Sequence, residues 1–433
     1  MTDITTLILV AGKSSRFKSR KSKIFHELGG ISIIDHVFNN VKKISKNNII
    51  FVCNNNNIDF LKKRFKNCKF ALQKNQNGTA NAVLAAKKFL GKKSNVLILV
   101  GAVPLINLVT LRKLIYNFSK NRLSGAILAF NAKNPFGYGR LITNKNKVES
   151  VIEELNASPI VKKLTLCNSG VLLCKYSLLF SFINKINIKK NKKEAYLTDI
   201  FNICYQNKNS FNYYLCDEEE MLGVNTLSDF NKVDEIYQNR LRKNLINEGA
   251  KILNPKTVRV SHDTKIGKDS IIEPFVFIKN GVQIKSQVTI KSHTVLESSK
   301  IGKGSSIGPF AQLRSGNIIG EKVKIGNFVE IKNSKIGNKC SINHLSYIGD
   351  SQLGKNVNVG AGTITCNYDG KNKHKTIIED NVFIGTNNSL IAPLKIRKNS
   401  KTGAGSIIRK NIPPDSLVVG LDKLIKLKKN KRK

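Results

Sequence analysis

The chain has 433 residues, long enough for two or three domains, and with 41% hydrophobic and 24% charged residues it suits packed globular structure rather than disorder. Its formal net charge of +44 raises a basic nucleic-acid-binding scaffold as one class, but the excess is lysine dispersed among asparagine and isoleucine, not arginine gathered with stacking aromatics, so no dedicated nucleic-acid partner is expected. No run reaches the roughly 18 consecutive apolar residues of a membrane span, and the apolar run at 5–11 is too short for a signal-peptide core, so a cytoplasmic location is expected.

From the N-terminus, strand-like runs at 6–10, 49–53, 96–100 and 125–130 alternate with amphipathic helical stretches at 33–43, 79–90 and 110–120. Such alternation predicts a Rossmann-like α/β domain with a mostly parallel sheet covered by helices. The first strand runs into Leu9-Val10-Ala11-Gly12-Lys13-Ser14-Ser15-Arg16-Phe17, which resembles the nucleotidyltransferase signature, a loop that wraps a triphosphate with backbone N–H groups and basic side chains. A Walker loop is excluded, because the glycine it needs five residues before Gly12 is Leu7. The eight cysteines form no CxxC pair and no cluster with histidine, so reduced thiols packed in cores are expected.

Apolar spacing at Phe230, Val233, Ile236, Tyr237, Leu241 and Leu245 predicts one helix over 228–247, capped by Ser228 or Asp229 and ended by Gly249. Beyond it a six-residue period sets in, at Ile266, Ile272, Ile278, Ile284, Ile290 and Leu296. After a five-residue step it continues through Ile301, Ile307, Leu313, Ile319, Ile325 and Ile331 to Ile336, Ile342, Ile348, Leu353 and Val359. It resumes at Ile378, Ile384, Leu390 and Ile396, and glycine often follows the apolar residue, as at Gly267, Gly302, Gly326 and Gly385. Period six is the hexapeptide signature of a parallel β-helix, in which each six residues form one side of a triangular coil of roughly 18 residues. The aliphatic residue is expected to fill the interior and the small residue beside it to let the chain turn the corner. Residues 365–375 interrupt the period, and a loop expelled from a regular coil is a natural place for site residues.

Two segments of this repeat are distinctive: Asn343-His344-Leu345-Ser346-Tyr347-Ile348-Gly349-Asp350 and Gly360-Ala361-Gly362-Thr363-Ile364-Thr365-Cys366-Asn367-Tyr368-Asp369-Gly370. With them the chain resembles, over nearly its whole length, the bifunctional N-acetylglucosamine-1-phosphate uridyltransferase and glucosamine-1-phosphate N-acetyltransferase family. That resemblance implies a nucleotidyltransferase domain at 1–225, a helical arm at 226–250, a left-handed β-helix acetyltransferase at 251–420 and a basic tail at 421–433. It implies acetyl-CoA, UTP, glucosamine-1-phosphate and N-acetylglucosamine-1-phosphate as substrates, Mg²⁺ at the uridyltransferase site, and a homotrimer. His344 falls at the family's catalytic base, a role that suits a neutral imidazole near pH 7. Arg314 and Lys332 match positions that hold the sugar phosphate. Tyr347, Asn358, Asn367 and Tyr368 match further contacts to the sugar and acetyl group. Ala361, Thr386 and Ala404 match the coenzyme A groove.

In the N-terminal half, Leu9, Gly12, Arg16 and Lys23 match triphosphate-binding positions, and Gln73, Gln76, Gly78 and Thr79 match the uracil-reading loop. Gly139, Glu153, Asn168 and Asn225 match sugar-nucleotide positions, Asn225 also being a metal ligand in the family. Four departures stand out. Ser14 replaces a second glycine, Val100 a frequent tyrosine, and Leu421, followed by a lysine tail, an arginine that helps to hold coenzyme A. Ala102 replaces the aspartate that binds Mg²⁺ together with the asparagine. A methyl group offers no oxygen to a hard cation, so weakened or lost uridylyl transfer is expected. A single-activity acetyltransferase with a structural N-terminal domain is the alternative.

Overall fold

The computed structural model describes residues 3–186 and 195–420, and the chain divides into two compact units, Met1–Tyr237 and Gln238–Lys433. Leu421 and the basic tail lie outside the described residues. Among the described residues no helix is long and apolar enough to cross a membrane.

The first unit is built on strands β1 (Ile4–Leu9), β2 (Ile49–Cys53), β3 (Lys69–Leu72), β4 (Asn95–Val100), β5 (Gly125–Asn131), β6 (Arg140–Asn144), β7 (Lys147–Ile152), β8 (Leu166–Lys175) and β9 (Phe211–Leu215). Their order in one sheet is β3-β2-β1-β4-β8-β5-β9-β7-β6. Only part of it is parallel. The stretch β3-β2-β1-β4 and the pair β5–β9 are parallel, whereas β8 runs antiparallel to both its neighbours and β6 and β7 form a hairpin. The mostly parallel sheet read from the sequence is therefore mixed: β6, β7 and β8, which were not among the strands read from it, bring in the antiparallel pairings. The four expected strands and three expected helices are present, with the 79–90 helix shortened to Thr79–Ala85 and a 3₁₀ turn, Lys87–Phe89. Cores form on both faces, one around Leu7, Ile98 and Phe201, the other around Ile8, Phe51 and Phe130. The parallel strands carry side chains into both, which is why they read as unbroken apolar runs.

The helix Leu227–Asn247 is one continuous element. Its cap is not Ser228. The Asp229 N–H donates to Thr226 Oγ1 (3.1 Å) while Asp229 Oδ2 accepts the Thr226 N–H (2.9 Å), a reciprocal capping box with Thr226 at its head. Gly249, at φ +103°, follows the last turn.

The second unit is a left-handed parallel β-helix made of three sheets of ten, eight and eight very short strands. Parallel partners lie 17 or 18 residues apart, as Thr289 to Ser306 and Ser306 to Lys324. Every apolar residue of the six-residue pattern is buried in one continuous core. A second inward set at Val276, Val282, Val288, Val323, Val329, Val357 and Val382 was not legible in that pattern. Buried Ser and Thr side chains satisfy carbonyls between coils, as Ser270 Oγ to Lys285 O (2.9 Å) and Ser305 Oγ to Gly320 O (2.9 Å).

The glycines that follow the aliphatic residues do not turn the corners. A Cβ on Gly302 or Gly385 would run into the backbone of the next coil, so these positions are small because the coils stack closely. The left-handed turn residues lie three positions after the aliphatic one and are mostly not glycine: Asp269, Lys322, Lys339, Asn356 and Asn399. At one corner the turn residues Phe275, His293, Phe310 and Phe328, all at positive φ, stack their rings with centroids 4.9, 4.8 and 5.3 Å apart. Ring stacking of this kind contributes about 0.5–1.5 kcal/mol per pair beyond area burial, comparable with the roughly 1–2 kcal/mol that a left-handed residue costs. The period breaks at the expelled loop, where the step from Gln352 to Ile377 is 25 residues. Thr365 and Cys366 still belong to the strand Ile364–Cys366, so the loop is shorter than the 365–375 interruption read from the sequence.

All eight cysteines are free thiols. Burial raises Cys53 and Cys68 to about 11 and Cys204 to about 12, so these are inert packing groups.

Because coils stack through one shared aliphatic column, Ile290→Ala, at a fully buried position, is expected to cost about 2–5 kcal/mol in chemical denaturation. A loss below about 0.5 kcal/mol, the range of surface substitutions, would contradict the packing described.

Candidate functional site

In the β-helix the register sets one corner apart. The partners Lys324, Ser341, Asn358, Phe383 and Lys401 stack in successive coils. Three residues further on, Asn327, His344, Ala361, Thr386 and Ala404 therefore form one column. His344 lies one coil from Ala361, and Thr386 and Ala404 continue the column from it along the corner. The His344 ring is held from the coil on its other side, where Asn327 Oδ1 lies 2.8 Å from Nδ1. An amide oxygen can only accept, so Nδ1 carries the proton and the Nε2 lone pair is left for chemistry. Gly326 makes this pair possible, because a Cβ there would collide with the backbone of Asn343.

The following corner carries cations. Arg314 and Lys332 follow the paired residues Leu313 and Ile331, so they stack in adjacent coils. Arg314 Nη1 donates to Glu330 Oε1 at 2.9 Å. Lys332 meets a partner that the sequence reading missed, Lys373. The neighbouring ammonium of Lys373, with Arg314 behind it, lowers the Lys332 pKa. Two lysines held together, with Arg314 beside them and the Asp350 carboxylate only partly offsetting their charge, make a ready anion site. The Tyr347 hydroxyl lies against Gly349, where any Cβ would strike it.

The expelled loop delivers Lys373. Tyr368 and Lys373 face each other across a bridge. Between them Asp369 accepts the N–H groups of Lys371 (2.8 Å) and Asn372 (2.6 Å) and pairs with His374 Nε2 at 2.7 Å. Those backbone bonds, with the His374 contact, hold the Asp369 carboxyl far below the usual carboxylate range. At the loop's base, Asp350 takes Asn367 Nδ2 on one oxygen (2.5 Å) and Asn333 Nδ2 on the other (2.6 Å). No single-sequence signal marks Lys373 among so many lysines; its place follows only from the turn that Asp369 closes.

In the first unit, Leu9, Gly12, Arg16, Lys23, Gln73, Gln76, Gly78, Thr79, Val100 and Asn225 line one cleft of about 510 Å³, together with Tyr196. The loop after β1 holds Ser14 in the left-handed region (φ 56°), a conformation that favours glycine. Gly78, at φ +102°, is pressed against the backbone of Ala195. Gly139, Glu153 and Asn168 are brought together: the Asn168 N–H donates to Gly139 O (2.8 Å) and Glu153 packs beside Gly139, while Asn168 Oδ1 accepts the N–H of Gly170, which lies against Val100 of the cleft.

Ala102 lies just past the end of β4, 5% exposed, and its carbonyl accepts the Val224 N–H at 2.9 Å. The fold thus sets position 102 beside the segment that carries Asn225. Asn225 Oδ1 accepts a hydrogen bond from Lys23 Nζ at 2.8 Å. Burial, then the Arg16 charge, pushes the Lys23 ammonium down to about 8, against the pull of Asp229. Among the described residues no group of three or more histidine, cysteine or acidic side chains could hold a metal ion. The residues present do not make a Mg²⁺ site: one position is a methyl and the other oxygen is bonded to an ammonium.

Comparisons with known proteins agree with this division. Residues 6–164 match the MobA-like NTP transferase domain. The Bifunctional protein GlmU of Bartonella bacilliformis is 38% identical, covering 99% of this chain and 98% of its own. The chain belongs to the bifunctional GlmU family. GlmU proteins of Thermosipho melanesiensis (38%, covering 97% of this chain and 95% of its own) and Paramagnetospirillum magneticum (37%, 98% and 95%) are similar to it over the same span. Membership in the GlmU family makes both the corner and the cleft sites to be explained.

The Asn327 contact has a direct spectroscopic consequence. Nitrogen-15 NMR of the His344 ring should show the proton on Nδ1, and Asn327→Ala should move it toward Nε2. An unchanged ring spectrum in the variant would remove Asn327 from any role in setting the tautomer.

Proposed function

We propose that this chain transfers the acetyl group of acetyl-CoA to the amine of glucosamine-1-phosphate at the β-helix corner, and that uridylyl transfer in the N-terminal cleft is severely weakened or lost. The observation that carries the first part is the column in which His344, oriented by Asn327, abuts Ala361, Thr386 and Ala404.

The chemistry follows from that arrangement. The sugar amine arrives protonated and cannot attack. His344 Nε2 takes one proton from the ammonium, and the freed nitrogen pair forms a bond to the thioester carbonyl carbon. The carbon–sulfur bond breaks, the second nitrogen proton passes to the departing coenzyme A sulfur, and an amide remains. Arg314, Lys332 and Lys373 anchor the sugar phosphate by charge-assisted hydrogen bonds. Tyr347 and Asn358 face the sugar, Asn367 and Tyr368 stand beside the acetyl group, and the small column at Ala361, Thr386 and Ala404 admits coenzyme A. Family membership also supports a homotrimer. It supports a place in supplying UDP-N-acetylglucosamine for the cell envelope, with UTP and N-acetylglucosamine-1-phosphate as substrates of the second step.

Support for the second part is Ala102. A divalent cation stabilises charge on a transferring nucleotidyl group, and this cleft lacks the oxygens to hold one. The N-terminal unit then remains a folded platform with a nucleotide-shaped cleft. A basic nucleic-acid scaffold is the poorer reading, since the lysines that do cluster, Lys332 and Lys373, meet beside a histidine corner suited to a small anion.

Two assays on purified protein decide this. Thiol release should accompany acetylation of glucosamine-1-phosphate, and Lys332→Ala or Lys373→Ala should raise KM for the sugar phosphate by about tenfold or more, the scale of a lost charge-assisted bond. Pyrophosphate release from UTP and N-acetylglucosamine-1-phosphate with Mg²⁺ should be slight and should rise in Ala102→Asp. Brisk pyrophosphate release by the unaltered chain would refute the loss.

A further inference from the structure

Resting on the reading of the cleft above, we infer that the N-terminal unit binds a nucleoside polyphosphate without a divalent cation, with the Lys23 ammonium standing where a metal would meet Asn225. Four observations lead there. The 2.8 Å bond from Lys23 Nζ engages Asn225 Oδ1, and the methyl of Ala102 adds no second oxygen beside it. Arg16, whose charge Lys23 feels, sits in the same cleft, so two positive side chains already face the space that a dication would enter. The acidic group that Lys23 feels is Asp229, and its Oδ2 is committed to the N–H groups of Asn225 (3.0 Å) and Thr226 (2.9 Å) at the head of the helix.

The fourth observation points to a ligand, not merely to a missing metal. Gln76 Oε1 is shut off from solvent and has no hydrogen-bond partner among the described residues. An acceptor left in this state costs stability unless something fills it, and Gln76 lines the same cleft as the loop 11–16 and Arg16. Its neighbour Gln73 is committed, donating from Nε2 to Gly78 O at 3.0 Å, which fixes the loop that presents Gln76. A nucleobase imino N–H satisfies such an acceptor, and phosphates satisfy the loop N–H groups and the two cations. Gly12 faces open space, with nothing within 4 Å of where a side chain would begin, as a phosphate approach requires. A ligand with an N–H-bearing base at one end and phosphates at the other therefore meets unsatisfied or complementary groups along the cleft, and none of them needs a metal.

The test is calorimetric titration of the full-length protein with UTP and, separately, with UDP-N-acetylglucosamine, in excess EDTA and in excess Mg²⁺. The dissociation constant in EDTA should lie within about threefold of that in Mg²⁺, a difference well under the tenfold that corresponds to one lost charged contact. Lys23→Met should weaken binding in EDTA by about tenfold or more, because the cation on the phosphates is then gone. Ala102→Asp should make binding Mg²⁺-dependent. Binding seen only with Mg²⁺, or absent with both ligands under both conditions, would overturn the inference; both outcomes are read on the unaltered chain, so a variant that fails to fold does not decide it. Pyrophosphate release measured on the same preparation separates the two ideas: turnover would sink the loss of uridylyl transfer, whereas the EDTA arm alone judges metal-free binding.

Discussion

Everything in the second unit depends on how closely one coil can lie on the next. The aliphatic residue of each six fills a shared core, and the residue after it must be small enough for backbone to approach backbone, as at Gly302 and Gly385. Close stacking turns a repeat in sequence into a column in space. Asn327, His344, Ala361, Thr386 and Ala404 are far apart along the chain yet form one corner because each coil adds its turn directly onto the last. A site built this way is rigid, since moving one member means sliding a coil against hydrogen bonds on three faces.

Departures from the repeat carry the remaining chemistry. The 25-residue step expels a loop, and Asp369 ties it into a turn that returns Lys373 to Lys332. Scaffold positions supply Arg314 and Lys332, and the expelled loop adds Lys373 to them. In the first unit the same logic appears as a loss. The fold still brings position 102 to the Asn225 segment through the Ala102 to Val224 hydrogen bond, but the residue delivered there has nothing to offer a cation, and Lys23 takes the asparagine oxygen instead. Scaffold and chemistry have come apart at a single side chain.

The β-helix core was legible in the sequence because period six has no helical or hairpin counterpart, and each of its aliphatic positions is buried. The second inward set, at Val282, Val323 and Val382, escaped because valine two residues before isoleucine looks the same in an ordinary strand. The role of the glycines was misread for a physical reason: composition shows a small residue but not whether it relieves φ or distance. Ser228 or Asp229 was read as the helix cap, and Asp229 does take part, but Thr226 at its head was not foreseen because reciprocal capping depends on which hydroxyl faces Asp229. Among site residues, His344, Ala361, Thr386 and Ala404 came from the family resemblance, and the register stacks them in one column. Lys373 was hidden by the abundance of lysine. The antiparallel half of the sheet places Gly139, Glu153 and Asn168 together, a meeting that no spacing rule foretold.

The central claim is that the imidazole at position 344 accepts the proton of the sugar ammonium. Its most direct test is chemical rescue: acetyl transfer measured in His344→Gly with and without added imidazole. The account predicts a rate lowered by about 10²–10⁴, the usual contribution of a positioned base, and partly restored by free imidazole in its neutral form. A variant that transfers acetyl groups as fast as the parent, or one deaf to imidazole while still binding both substrates, would contradict it.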